Sequence, residues 1–170
     1  MNEQLISAMA LAEPAIKRFE GLRLKAYHDA VGIPTIGYGA TRIHGTPVKM
    51  GTQITIDQAD DLLRDEIQRT AEKVKRMVTA PVTTSMLAAL ISFAFNVGVS
   101  ALRNSTLLRK LNTSDYTGAA DQIMRWNKAT DQNTGKKIAL PGLTKRRSLE
   151  RELFLSQGTP CRDPGAVILP

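Results

Sequence analysis

Apolar residues Leu5, Met9, Ala12, Ile16 and Phe19 recur at three- and four-residue spacing, which predicts helix over residues 4–20. Pro14 interrupts the stripe. It fits a first helical turn better than an interior, so the pattern reads as one broken helix or two short ones, closed by Gly21. Over residues 22–45 the period shortens. Residues 24–28 read as a strand, Gly32-Ile33-Pro34 as a turn, 35–39 as a second strand and 41–44 as a third. So small an antiparallel sheet is marginal alone and must lean on other elements.

Helical spacing then returns. Thr55-Ile56-Asp57-Gln58 is a capping-box signature, and Ile56, Ala59, Leu62, Leu63, Ile67, Val74 and Met77 line one face to about residue 78. Pro81 ends this helix, which is long enough to connect two lobes. Thr83 or Thr84 caps a strongly apolar helix over 86–97 that stops at Gly98. Its few polar positions predict the buried centre of a helical lobe. Ser105 opens a short helix to 111 and Ser114 another to about 128. A loop covers 129–140, and a last helix runs from about 142 to 156. Residues 157–170, with three prolines and two glycines, read as a frayed tail. The predicted class is α+β, mainly α. It is one domain of two lobes: a β lobe at 21–55, a connecting helix at 56–79, and a helical lobe from 1–20 and 80–156. A cleft between the lobes is where a ligand would bind.

Composition changes this picture little. A chain of 170 residues suits one domain, and 42% apolar and 23% charged residues are ordinary for a globular protein with a real core. The single cysteine, Cys161, excludes an internal disulfide. The net charge of +7 favours an anionic partner, whether nucleic acid, membrane surface or acidic wall polymer, without choosing among them. The uncharged run 4–12 is shorter than the ~20 residues a bilayer span needs. Glu3 precedes it where an export signal would carry basic residues. The expectation is therefore no signal peptide, no membrane anchor and a cytoplasmic protein.

The chemistry concentrates around the glycine-rich hairpin. Glu20 ends the first helix, where an anion faces the negative end of the macrodipole. That position favours the protonated acid a general-acid catalyst requires. Asp29 lies near the hairpin turn and Thr35 opens the second strand. The spacing is Glu20, eight residues, Asp29, five residues, Thr35, then Ile36-Gly37-Tyr38-Gly39. With Gly21, Leu24 and Tyr27 in place, this resembles the E-x8-D-x5-T signature of the phage-type lysozymes, the family of T4 lysozyme and the lambdoid phage endolysins. Further likeness lies in Phe93-Ala94-Phe95-Asn96-Val97-Gly98, in Arg125-Trp126, and in Gly142-Leu143-Thr144-Lys145-Arg146-Arg147 with Glu150 and Phe154. It covers roughly residues 14–156.

The resemblance implies a lysozyme-like fold and a muramidase that hydrolyses the β-1,4 bond between N-acetylmuramic acid and N-acetylglucosamine in bacterial peptidoglycan, leading to lysis of the host cell. Glu20 would protonate the glycosidic oxygen. Asp29 would stabilise the charge developing at the sugar carbon and help to place a water, which Thr35 would hold on the opposite face. Phe95, Asn96, Thr41 and Thr106 match sugar-contacting positions of the family, and Arg146 or Arg147 would pair with Glu20 across the cleft. No metal or cofactor is implied. The enzyme would act as a monomer and need a holin to reach the wall from the cytoplasm.

Other residues read more plainly. His28 and Asp29 are adjacent in a strand and point to opposite faces, so they form no dyad. His28 reads as surface or hairpin packing, His44 as loop and Trp126 as core. The basic run Lys136, Lys137, Lys145, Arg146, Arg147 and Arg151 is expected to be a solvated face that also meets the anionic layers of an envelope. Two histidines and one cysteine, far apart, make a poor zinc set for an amidase, and no nucleic-acid-binding pattern stands out. The competing readings are a lytic transglycosylase, which needs the acid but no Asp-Thr pair, and a cationic membrane-disrupting protein that is not an enzyme.

Overall fold

The computed structural model describes residues 2–130 and 135–156. The chain runs α1 (Glu3–Glu20), β1 (Arg23–His28), β2 (Pro34–Gly37), β3 (Arg42–Ile43), β4 (Thr46–Pro47), α2 (Ile56–Met77), α3 (Thr84–Val97), α4 (Val99–Arg103), α5 (Thr106–Asn112), α6 (Tyr116–Ile123), a 3-10 turn (Met124–Trp126), β5 (Lys128–Thr130), β6 (Lys137–Ala139) and α7 (Pro141–Leu155). The expected tail, with Cys161, lies outside the described residues.

The core is built around α3. Ser85 and every residue from Leu87 to Ala94 are buried, so α3 has no solvent face in its middle, as its uninterrupted apolar run requires. Helices α1, α2, α4 and α7 pack on it. From α1 come Leu5, Ala8, Ala12 and Ile16; from α2 Leu63, Ile67, Ala71 and Val74; from α7 Phe154. Phe93 meets Trp126 edge to face with centroids 5.5 Å apart, which fixes the turn before α7 against α3.

The first helix is continuous, not broken or double. Pro14 sits inside it. The proline removes one hydrogen bond to the carbonyl four residues back, a cost of about 3 kcal/mol in a helix interior. Both Pro14 and Ala10 lie on the exposed side, where water reaches that carbonyl. The buried stripe on the opposite side holds the two halves to one line against α3. Gly21 closes the helix with φ +70°, its N–H donating to Lys17 O at 3.3 Å.

The predicted three-stranded sheet is instead two separate two-stranded ribbons, β1–β2 and β3–β4. Isolated bridges join Lys25 to Gln53 and Ile36 to Ala40. Gly37 ends β2 with φ +65°, against Ala59 and Ile54, a left-handed conformation that breaks the strand before it can extend to residue 39. A third ribbon, β5–β6, occupies part of the predicted loop 129–140. Its residues are almost all exposed, so backbone pairing holds it and no hydrophobic alternation announces it. Helix α4 was not predicted. The helix expected from Ser114 to 128 is capped by Asp115 instead, because Ser114 adopts φ +62° and cannot serve as an extended N-cap, and it passes after Ile123 into the 3-10 turn.

Candidate active site

Glu20 is the last residue of α1, and its carboxylate is about a quarter exposed. Arg146 from α7 donates from Nη1 to Glu20 Oε1 at 2.6 Å. This answers which of the two arginines faces the acid. Arg146 is itself 3% exposed and fully engaged: Nε donates to Glu150 Oε1 at 3.2 Å, Nη2 donates to Ser92 O at 3.3 Å, and its guanidinium lies 5.2 Å from the Phe19 ring. One cation on α7 thus joins the end of α1 to α3.

Arg147 points the other way. Its Nε donates to Trp126 O at 3.0 Å, Nη1 to Glu150 Oε2 and Nη2 to Asn96 Oδ1, over the Phe93 ring at 4.8 Å. Burial pulls this guanidinium below its usual value, and the Glu150 carboxylate works against that pull. Asn96, exposed near the end of α3, has its amide oxygen occupied by Arg147, so its N–H groups are the ones left to donate. Phe95 beside it lines a narrow gap with Tyr38, Ala40 and Glu66.

The β1–β2 hairpin carries the other two predicted residues. Asp29 Oδ1 accepts the N–H groups of Val31 at 2.9 Å and Ile33 at 2.8 Å, which fold the turn around its carboxylate. Thr35 is buried and pairs with Tyr27, two residues before Asp29. Its hydroxyl donates to Ile33 O at 3.0 Å, so its oxygen retains acceptor capacity. Aspartate and threonine therefore belong to one turn held by Ile33, whose N–H serves the first and whose carbonyl serves the second. His28 stays apart from Asp29 as expected: its Nδ1 is bonded to Gly32 O at 2.9 Å.

The remaining predicted contacts are more dispersed. Thr41 is exposed and lines a hollow of about 260 Å³ between β3–β4 and α2, together with Arg42, His44, Asp65, Glu66 and Arg69. Thr106 opens α5, and its hydroxyl accepts from Arg109 Nη2 at 3.0 Å, a bond internal to that helix. The basic face expected on α7 is corrected. Arg146 and Arg147 are buried among carboxylates and carbonyls, and Arg151 Nη2 pairs with Asp121 Oδ1 at 2.8 Å. Among the described residues, Lys137 and Lys145 are the exposed cations of that run without an ion-pair partner.

Two features escaped the sequence reading. Glu150 was noted as part of a motif but given no task. Its signal was present: Arg147, Glu150 and Phe154 recur at helical spacing, which sets them on one face, and Phe154 marks that face as interior. The second is a charge cluster joining α1 to α2. Lys17 Nζ lies 2.9 Å from both Glu13 Oε1 and Asp60 Oδ2, and 5.6 Å from the Tyr38 ring.

A family model described as Phage lysozyme matches residues 17–150. The chain belongs to the phage lysozyme family. It is 42% identical over 142 residues to the endolysin of Salmonella phage P22, covering 83% of this chain and 92% of that one. It is 43% identical over 141 residues to an endolysin of Acyrthosiphon pisum secondary endosymbiont phage 1, with the same coverages. Among solved structures, the endolysin from Escherichia coli O157:H7 phage FAHEc1 superposes with a TM-score of 0.78 at 40% identity, over 88% of this chain and 90% of that one. The muramidase domain of SpmX from Asticaccaulis excentricus gives 0.79 at 36%, over 87% and 96%. Phage lysozyme is thus both the family and the fold, α+β and mainly helical, and the function is that of an endolysin, a lysozyme-type glycosidase. Some relatives are named SAR-endolysins, one of them from Enterobacteria phage P21. Among the described residues of this phage lysozyme, no helix is long and apolar enough to cross a membrane.

Proposed function

We propose that the protein is a muramidase that hydrolyses the β-1,4 bond from N-acetylmuramic acid to N-acetylglucosamine in bacterial peptidoglycan. The observation that carries this reading is the setting of Glu20. It is a partly buried carboxyl at a helix end, with one oxygen fixed by Arg146 at 2.6 Å and the other without a hydrogen bond among the described residues. The free oxygen is the one to carry the proton delivered to the glycosidic oxygen. As the bond breaks, positive charge grows at the sugar carbon, and the Asp29 carboxylate stabilises it. A water accepted by Thr35 Oγ1 and oriented by Asp29 attacks the opposite face and passes its proton to the Asp29 carboxylate. This is single displacement with inversion, and it leaves room for one water when the two carboxyls lie roughly 6.5–9.5 Å apart.

Phe95, Asn96 and Thr41 serve as sugar contacts in this reading, Asn96 donating to a substrate acceptor. Thr106 has the weakest support, since its hydroxyl is already engaged within α5. The substrate lies in a cleft between a β lobe at 21–55 and a helical lobe from 1–20 and 80–156, joined by the helix at 56–79. The enzyme works as a monomer, waits in the host cytoplasm and meets the wall once a holin opens the membrane.

The deciding comparison is wild type against Glu20→Gln on purified peptidoglycan. The variant is expected to keep the wild-type circular dichroism spectrum and lose at least a thousand-fold of turbidity clearing. Undiminished killing by Glu20→Gln would identify a membrane-disrupting protein instead. A 1,6-anhydromuramic product from the wild type would identify a lytic transglycosylase.

A further inference from the structure

Glu150 is the most deeply placed carboxylate among the described residues, 2% exposed, and none of the steps above uses it. It follows Arg146 by four residues and Arg147 by three, so it lies on the helix surface between them. Adjacent helical residues point about 100° apart, so a shared partner must reach the two guanidinium groups from different sides. Here the two oxygens divide the work. Oε1 accepts Arg146 Nε at 3.2 Å and Ser92 Oγ at 2.9 Å, while Oε2 accepts Arg147 Nη1. With one edge of each guanidinium fixed this way, the other edges are aimed. Arg146 presents Nη1 to Glu20, and Arg147 presents Nη2 to Asn96.

We propose that Glu150 is a positioning residue of the reaction: one buried carboxylate sets both the arginine that holds Glu20 and the arginine that turns the Asn96 amide. The proposal rests on the muramidase reading of Glu20. A purely architectural task explains the arrangement less well. Buried ion pairs are weak contributors to stability, and apolar side chains of similar volume often serve as well or better. Three ionised groups under the active site are better accounted for by what their outer ends touch. Arg146 is held on three sides, by Glu150 on its own helix, by the Ser92 carbonyl on α3 and by Glu20 on α1. Without Glu150, its Nε edge loses the partner that stops the guanidinium rotating away from Glu20. The two neighbouring cations would also repel with no anion between them.

The test measures reducing-end release from soluble peptidoglycan fragments by the full chain, as wild type, Glu150→Gln and Glu150→Asp. Each rate is divided by the folded concentration from circular dichroism. Glu150→Gln is expected to lower kcat thirty-fold or more while KM changes less than three-fold. Glu150→Asp keeps the charge but not the reach to both arginines, and its kcat should fall three- to ten-fold. Should the glutamine variant not fold, the aspartate variant decides alone. A wild-type kcat per folded molecule in either variant, with only the melting temperature lowered, overturns the proposal. A wild type that releases no reducing ends overturns the muramidase reading itself, and that result is visible before any variant is made.

Discussion

At the scale of single residues, the hairpin uses Asp29 twice. Its Oδ1 folds the turn by accepting two backbone N–H groups, and its charge is what the proposed chemistry needs. The two tasks can be separated. Asp29→Asn keeps an acceptor oxygen in place and removes the charge; Asp29→Ala removes both. We expect Asp29→Asn to melt within about 1 °C of wild type, a ΔΔG of a few tenths of a kcal/mol at most. It should clear peptidoglycan roughly 10²-fold more slowly, the usual scale for losing one positioned acid–base group. Asp29→Ala should show the same loss of activity and in addition a lower melting temperature, by about 1–2 kcal/mol for two unmet backbone donors at a partly exposed turn. Equal melting temperatures for the two variants would show that the turn does not depend on the carboxylate oxygen.

At the scale of elements, the sequence was most readable where a local chemical rule acts alone. The capping box at Thr55 forms in full: Gln58 N donates to Thr55 Oγ1 at 3.2 Å, and Thr55 N donates to Gln58 Oε1 at 2.9 Å. Thr55→Ala should therefore cost about 1 kcal/mol in urea unfolding, without touching activity. The apolar run of α3 likewise announced its own burial, and the strand-favouring residues on either side of Gly32-Ile33-Pro34 announced the β1–β2 hairpin. Reading failed where long-range packing overrode local preference. Pro14 argued for a break that the α1–α3 contact suppresses. The β5–β6 ribbon has no buried face to betray it. The basic run was expected as a solvated face with one of Arg146 and Arg147 turned to Glu20; both are buried, because Glu150, to which that reading gave no task, pairs with the two of them. An arginine partner for Glu20 was legible from the family resemblance, but the choice of Arg146 over Arg147 was not, since neighbouring residues of one helix differ only in where the fold aims them.

At the scale of the whole molecule, a charge cluster joins α1 to α2 beside Tyr38. Glu13, Lys17 and Asp60 form one cluster there, with Arg64 3.6 Å from Glu13 and 3.9 Å from Asp60, and with Tyr38 facing it. The hydrogen bond from Lys17 holds the Asp60 carboxyl below the usual carboxylate value, although burial pulls it up. Burial pulls Lys17 down, but Glu13 and Asp60 together more than reverse this and leave it raised. The signs give a window. Asp60, depressed in the folded state, contributes stability that is complete above its unfolded value near 4 and is lost as pH falls through the folded value. Lys17, raised in the folded state, contributes below its unfolded value near 10.4 and loses that as pH rises through the folded one. The cluster is thus intact from about pH 4 to 10. Asp60→Asn should lower the melting temperature at pH 7 and flatten its decline between pH 5 and 2, where the wild type loses this carboxylate's share. The side chains are partly solvated, so added salt should shrink the difference between the two proteins at pH 7. Parallel declines in wild type and variant from pH 5 to 2 would mean that the α1–α2 junction is held by its apolar contacts and not by this charge cluster.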